Sequence, residues 1–146
     1  MTQIKNLPQA TQADSTTVLV GDIGSRTYKI PITVLFNACA AQMAPVALTD
    51  ASNIATNAAL GTVFSLTLTG NHTLANPTNL MNGVFYTWII TQDGSGGHTL
   101  AYGSMFKWPG GSAPTVTATA GAVSVITAQY LSSTNVLNAN SALNFS

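Results

Sequence analysis

The sequence predicts a mainly β protein, and three observations support that fold class. Only 5% of the 146 residues are charged, whereas a helical bundle needs Glu, Lys and Arg on its solvent-facing surfaces. Threonine, serine, asparagine and glycine fill most polar positions, which is typical of strands and turns. Short β-branched and aromatic runs recur between turn signals. We therefore expect an N-terminal β-hairpin with a short helix, followed by a small antiparallel β-sandwich or barrel of the jelly-roll kind.

The first block, residues 1–41, is predicted to hold the hairpin and the helix. Residues 16–20 (TTVLV) form a β-branched run, residues 21–25 (GDIGS) a turn, and residues 26–32 (RTYKIPI) the returning strand. Pro31 limits how far that strand can pair. Residues 33–41 carry apolar side chains at helical spacing, which predicts a short helix that is stable only when docked.

The next segment, residues 42–61, shows no clear hydrophobic periodicity. We predict a linker or arm here, with room for one helical turn that begins at Asp50, a good N-cap. A segment of this length without its own structure is unusual inside a compact domain. We therefore expect it to reach a neighbouring subunit or partner.

The last block, residues 62–146, is predicted to be one β domain. In residues 63–69, Phe64, Leu66 and Leu68 alternate with polar side chains, and residues 84–91 are apolar on both faces, as a central strand is. Turn signals follow at residues 93–97 (DGSGG), and residues 107–111 (KWPGG) are predicted to form a loop. The predicted strands are residues 63–69, 84–91, 98–102, 115–119, 122–130 and 136–138.

Two stretches of this block carry a resemblance to a known family. Residues 68–80 read LTGNHTLANPTNL, and residues 90–111 read ITQDGSGGHTLAYGSMFKWPGG; APT at 113–115 and AGAV at 120–123 follow. From about residue 62 to 130 the chain resembles a β domain of tailed-bacteriophage structural proteins, especially fibre and decoration proteins. The first forty residues, with LPQAT at 7–11 and VLVGDIGSRTYKI at 18–30, more loosely resemble a virion-anchoring segment of phage fibres. This resemblance implies a homotrimer.

Composition excludes several classes of function. The four cations are spread along the chain as Lys5, Arg26, Lys29 and Lys107, and they cannot form the basic groove that nucleic acid requires. No run of about 18 apolar residues is present, and no signal peptide opens the chain. We expect no nucleic-acid or membrane partner. The formal net charge is zero, which favours association, so we expect copies of the chain to cover one another.

No pattern in the sequence indicates catalysis, a metal site or a cofactor. His72 and His98 each lie beside a turn, and no nucleophile motif accompanies them. Asp93 sits in a glycine-rich turn without the ligand spacing of a calcium loop. Cys39 lies on the apolar face of the predicted helix and is interpreted as a small buried residue. We expect a protein that is not an enzyme.

The aromatic residues of the last block are the candidate contact residues. Tyr and Trp are favoured at interfaces and at sugar-stacking sites, yet on a central strand they also form a core. Three interpretations therefore stay open: core, subunit interface, or a platform for a host surface glycan. The candidates for subunit or glycan contact are Tyr86, Trp88, Tyr102, Phe106 and Trp108, and those for particle anchoring are Val18, Leu19, Tyr28, Ile30, Leu35 and Phe36.

These observations together with the resemblance predict a non-enzymatic virion protein, made in the cytoplasm of the bacterial host. It would be a short trimeric fibre or decoration protein that binds the capsid through residues 1–41. Relatives often carry a long shaft or further receptor domains, and the chain ends soon after the β domain, which favours a head-fibre or decoration role. The alternative is a tail-fibre or tail-tip component that binds host surface glycans.

Overall fold

A computed structural model describes the backbone of residues 18–23 and 26–31, and both backbone and side chains of residues 44–145. The chain divides into two compact units, residues 1–41 and residues 42–146. Strands dominate the described residues, which contain no α-helix, so the predicted mainly β fold class is confirmed. No helix in this part of the chain is long and apolar enough to span a membrane.

The first unit contains two strands. Strand β1 (Val18–Ile23) pairs with β2 (Arg26–Pro31) in antiparallel register, with Ile23 opposite Arg26 next to the connecting residues 24–25. Pro31 is the last residue of β2 and faces Val18; this position suits a residue without a backbone N–H. The helix predicted for residues 33–41 lies outside the described residues.

The second unit is built on a large six-stranded sheet. Three neighbouring strands of this sheet run parallel, and a hairpin continues it in antiparallel register. The final edge strand then pairs in parallel with the hairpin's second strand. In spatial order the strands are β3 (Val46–Ala47), β5 (Val63–Leu68), β7 (Phe85–Gln92), β10 (Val123–Leu131), β11 (Val136–Phe145) and β9 (Phe106–Lys107).

A small three-stranded sheet accompanies the large one, and all its pairs are parallel. Its strands are β4 (Asn53–Ile54), β6 (His72–Leu74) and β8 (Leu100–Tyr102). Along the sequence the chain alternates between the sheets, from β3 to β4, from β5 to β6 and from β7 to β8. Each pass through both sheets is one coil of a short parallel solenoid, and the hairpin β10–β11 together with β9 extends the large sheet beyond β7.

The core of this unit lies between the two sheets. Alternate side chains of the large sheet point inward, as Phe64, Trp88 and Ile126 do, and each of these is at most 1% exposed. Ile54 and Leu74 reach the same core from the small sheet and are fully buried. The two sheets therefore share one hydrophobic cluster.

Strand pairing differs from the antiparallel sandwich that the sequence predicts, because both sheets contain parallel pairs. The prediction assumed that consecutive strands pair through tight turns. In the structure the consecutive strands from β3 to β8 alternate between the two sheets, so neighbouring strands among them lie a full coil apart in the chain, whereas β10 and β11 pair directly as a hairpin. Parallel pairing follows, because parallel strands need a long crossover, and the strand in the other sheet is part of that crossover.

Two local predictions are corrected by the second unit. Residues 44–61, predicted as part of a linker, contribute β3, β4 and a turn of 3-10 helix at Ala58–Leu60, and they form the first coil. No helix begins at Asp50. Residues 115–119 are not a strand; Val116 instead packs into the core at 2% exposure. Only a few side chains of these segments are buried and hold them against the core. Because the buried positions are so few, the sequence shows no clear hydrophobic periodicity there.

Candidate functional site

The candidate aromatic residues divide into a buried group and a surface group. Tyr86 and Trp88 are each 1% exposed, and Phe106 is 5% exposed. They pack with one another: the ring centroids of Trp88 and Phe106 lie 5.3 Å apart in an edge-to-face arrangement. These three candidates therefore belong to the hydrophobic core of the second unit, and Phe106 also borders the groove beside β8 and β9.

Buried aromatic residues with polar groups need hydrogen-bond partners, and the first coil supplies one. The indole N–H of Trp88 donates to Thr56 Oγ1 at 3.1 Å, and Thr56 is itself 2% exposed. The Tyr86 hydroxyl accepts from the backbone N–H of Met81 at 2.8 Å. Thr56 lies in the segment that the sequence predicts to be a linker, so no sequence signal marked it.

Tyr102 and Trp108, the remaining aromatic candidates, line an open surface groove of about 490 Å³ next to β8 and β9. Their ring centroids are 4.7 Å apart with the planes at 62°, and the Trp108 ring stacks on buried Phe106 at 6.2 Å. Lys107, which also lines the groove, is the one cation within residues 44–145. The groove thus combines aromatic surface with a positive charge.

The Tyr102 hydroxyl is a polar group without a partner in this groove wall. Its oxygen is buried, and no hydrogen-bond partner is present among the described residues. Burial raises the pKa of Tyr102 to about 12, because the low-dielectric surroundings disfavour the phenolate. The hydroxyl is therefore a neutral donor and acceptor at all physiological pH values.

Asn76 holds the loop that forms the other wall of the groove. Its side-chain oxygen accepts from the N–H of Met105 at 2.9 Å, and its side-chain nitrogen donates to Ser104 Oγ at 3.1 Å. At Gly103 a Cβ would lie 2.3 Å from that same Asn76 oxygen. Only glycine permits this close approach, so Gly103 and Asn76 together fix the groove between β8 and β9.

Two histidine–carboxylate pairs lie where the chain passes between the large and small sheets, and His72 is the first residue of β6. His72 Nε2 is 3.1 Å from Asp50 Oδ1, and the hydroxyl of Thr69 donates to the other oxygen of Asp50. His98 Nε2 is 3.1 Å from Asp93 Oδ1. The Asp50–His72 pair links the connection after β3 to the next coil. The Asp93–His98 pair links two parts of the connection between β7 and β8.

Asp93 acts as a turn residue, as predicted. Its Oδ1 accepts from the backbone N–H groups of Ser95 and Gly96 at 2.9 and 2.8 Å. The hydrogen bond that the Gly96 N–H donates to Asp93 is the largest of the effects that lower the pKa of Asp93 below its ordinary value of 3.8. Ser95 and His98 lower this pKa by smaller amounts. These donors stabilise the carboxylate and hold the glycine-rich turn closed. Residues 44–145 contain no cluster of three or more His, Cys, Asp or Glu side chains that could bind a metal ion.

The particle-anchoring candidates belong to the first unit. Val18 and Leu19 lie on β1, and Tyr28 and Ile30 lie on β2, where Ile30 pairs with Leu19 and Tyr28 pairs with Gly21. Leu35 and Phe36, the other two candidates, lie outside the described residues, as does Cys39. The structure describes only the backbone of the two strands.

Comparison with known protein families gives a match over most of the second unit. A family model described as "Putative phage tail fibre C-terminal domain" matches residues 48–134. The match begins directly after β3 and ends after β10, so it includes β4 to β10 and the aromatic groove. No curated protein and no solved structure matches the chain.

Proposed function

The chain belongs to the phage tail fibre C-terminal domain family and is thus a structural component of the phage virion, and we propose that it is a homotrimeric, non-enzymatic fibre protein of the tail. In this proposal residues 42–146 form the outward-projecting unit, and residues 1–41 attach it to the particle. The family match is the single observation that carries the proposal.

The charge of the chain supports self-association. Eight charged residues and no net charge leave a surface with little electrostatic repulsion between copies. Within residues 44–145 only Asp50, Asp93 and Lys107 are charged, and both carboxylates face histidines. Symmetric assembly is the common way for identical chains to cover such surfaces.

Deletion of residues 1–41 tests the attachment. We expect the shortened chain to keep its oligomeric state, measured by light scattering, and to lose binding to phage particles that lack the protein. Full-length protein is the control for binding, and circular dichroism checks that the β unit still folds. Undiminished binding of the shortened chain would contradict attachment through residues 1–41.

Immunogold labelling of intact particles tests the location. We expect antibodies against this chain to label the tail, because the matching family is one of tail fibres. Label distributed over the capsid would instead support the head-fibre or decoration role that the sequence analysis favoured.

The groove supports a second candidate function, the binding of host surface glycans. Aromatic faces stack on sugar rings, and Tyr102 and Trp108 both line the groove. A glycan array should then show binding by the wild type that Trp108→Ala loses. Phe85→Ala, which removes an exposed aromatic ring outside the groove lining, is the matched control and should bind like the wild type. No signal from the wild type would leave the chain a purely structural protein.

A further inference from the structure

A second surface groove, of about 420 Å³, lies beside the aromatic groove next to β8 and β9. Lys107 and Trp108 line both grooves. The rest of the second groove is lined by Pro109 and by residues 138–140 of β11. Lys107 is the last residue of β9 and Trp108 follows it, so the end of this strand separates the two grooves. A single extended ligand can therefore contact both.

The strand register brings polar side chains into the second groove. β9 is an edge strand of the large sheet, and its Lys107 pairs with Asn138 of β11. Cross-strand partners share a face of a sheet, and Asn140 lies on that same face two residues along. Ala139, between the two asparagines, faces the core and is 4% exposed. The second groove thus presents two amides, which donate and accept hydrogen bonds as sugar hydroxyls require, next to an ammonium group.

Trp108, between the grooves, is held in a fixed position. Its ring lies at 13° to the plane of Phe106 and stacks on it. The backbone N–H of Gly111 donates to the Trp108 carbonyl at 2.9 Å, and Pro109 restricts the backbone directly after the ring. An aromatic face that is already fixed loses little conformational entropy when a ligand stacks on it.

The charge around the two grooves is positive and is not neutralised nearby. Lys107 is the one charged residue among those that line them, and its side chain is exposed. Within residues 44–145 the two carboxylate side chains, Asp50 and Asp93, face His72 and His98, and neither forms an ion pair with Lys107. An exposed ammonium group without an acid beside it attracts an anionic ligand.

We propose that an acidic oligosaccharide binds across the two grooves, with a sugar ring on Trp108 and the carboxylate of a uronic-acid unit at Lys107. The inference rests on the glycan binding put forward above as the second candidate function, and it adds the charge and the length of the ligand. The amides of Asn138 and Asn140 would bind the hydroxyls of the next sugar unit. A nucleic acid also offers rings and negative charge, but it requires several cations, and these grooves hold one.

An oligosaccharide array tests the charge of the ligand with the full-length chain. The probes are uronic-acid-containing oligosaccharides of bacterial surfaces, each printed beside its carboxyl-reduced, neutral form. We expect the wild type to bind acidic members and to lose binding when their carboxyl groups are reduced. By titration calorimetry at low salt, Lys107→Gln should weaken binding of the acidic oligosaccharide at least about fivefold, whereas Lys107→Arg, which keeps the charge, should retain most of it.

A carboxylate placed in the second groove tests the extent of the site. Asn140 Oδ1 accepts from the backbone N–H of Ser141 at 2.8 Å, and an aspartate can keep this hydrogen bond. Asn140→Asp should weaken binding of the acidic oligosaccharide at least about threefold, because like charges repel. Asn144→Asp is the matched control: it makes the same change on β11 outside both groove linings and should bind like the wild type.

The outcomes separate this inference from the proposed functions. Equal binding of the acidic and reduced forms, lost in Trp108→Ala and kept in Lys107→Gln, would overturn it and leave glycan binding standing. Equal binding of poly-aspartate would overturn it in favour of an acidic peptide, and unchanged affinity of Asn140→Asp would overturn the use of the second groove. Absence of binding to every oligosaccharide would overturn both this inference and the second candidate function, while the attachment and location experiments decide the fibre role. Circular dichroism checks each variant, and the Asn140→Asp pair decides if Lys107→Gln fails to fold.

Discussion

The hydrogen bond from Trp88 to Thr56 gives a sharp test of the fold, because Thr56 lies in the segment that the sequence predicts to be a linker. If residues 44–61 form the first coil, Thr56→Val removes the acceptor of a buried indole N–H and keeps the shape of the side chain. If that segment were a loose arm, the substitution would cost almost nothing.

The magnitude follows from burial. Trp88 is 1% exposed, Thr56 is 2% exposed, and the N–H···O distance is 3.1 Å, so water cannot easily replace the lost acceptor. A buried donor left without a partner costs about 1–3 kcal/mol. For a unit of this size each kcal/mol lowers the melting temperature by roughly 4–8 °C.

Thermal and urea denaturation followed by circular dichroism measure this loss, at one protein concentration because association contributes to the apparent stability. Thr56→Ser keeps the hydroxyl and is the matched control. In a Trp88→Phe background no indole N–H remains, so the added cost of Thr56→Val should fall by at least about 1 kcal/mol. The reasoning is refuted if Thr56→Val lies within about 0.5 kcal/mol of the wild type, or if its cost is the same in both backgrounds.

Three further predictions concern packing, backbone and pH. Ile126→Ala, a fully buried position, should cost about 2–5 kcal/mol in urea denaturation, whereas Leu60→Ala, 59% exposed, should cost far less; equal losses would contradict the assigned core. Gly96→Ala should destabilise the chain by more than about 1 kcal/mol, because φ is +64° and a Cβ would meet backbone at 2.6 Å; Gly94→Ala, with open space around it, is the thermal-melt control. Because the pKa of Asp93 is lowered in the folded chain, its stabilising contribution is complete well above pH 3.8 and is lost as the pH falls below that value. The stability difference between wild type and Asp93→Asn, present at about pH 6, should then shrink as the pH falls below 3.8; a difference that does not shrink would point to another group.

The aromatic candidates show how far residue type alone can locate a site. Tyr86 and Tyr102 look equivalent in the sequence, since each lies in a strand with aromatic neighbours. Tyr86 faces inward on a central strand, whereas Tyr102 ends an edge strand of the small sheet and borders the groove. Only the position of the strand in its sheet separates the two residues, and that position depends on long-range pairing.

The outer face of the large sheet had a visible signal in the sequence. Ser65 and Thr67 alternate with the buried residues of β5, and residues 51–92 contain no charge. Period-two alternation predicts that such residues share a face, but it does not say which strands lie beside them. In the structure Ser65, Ile89, Val125 and Ala142 are successive neighbours across β5, β7, β10 and β11. These positions are far apart in the chain, so only the strand register shows that they are adjacent.

The sequence by itself determined the mainly β class, the inward and outward sides of β5, and the turn at Asp93, because composition and alternation act over a few residues. Tertiary structure alone decided that short strands at residues 44–61 complete a coil, that neighbouring coils pair in parallel, and that Thr56 meets Trp88. These features depend on burial between segments that are distant in the chain. Two-residue strands such as β3 and β4 have too little local preference to form without the rest of the fold.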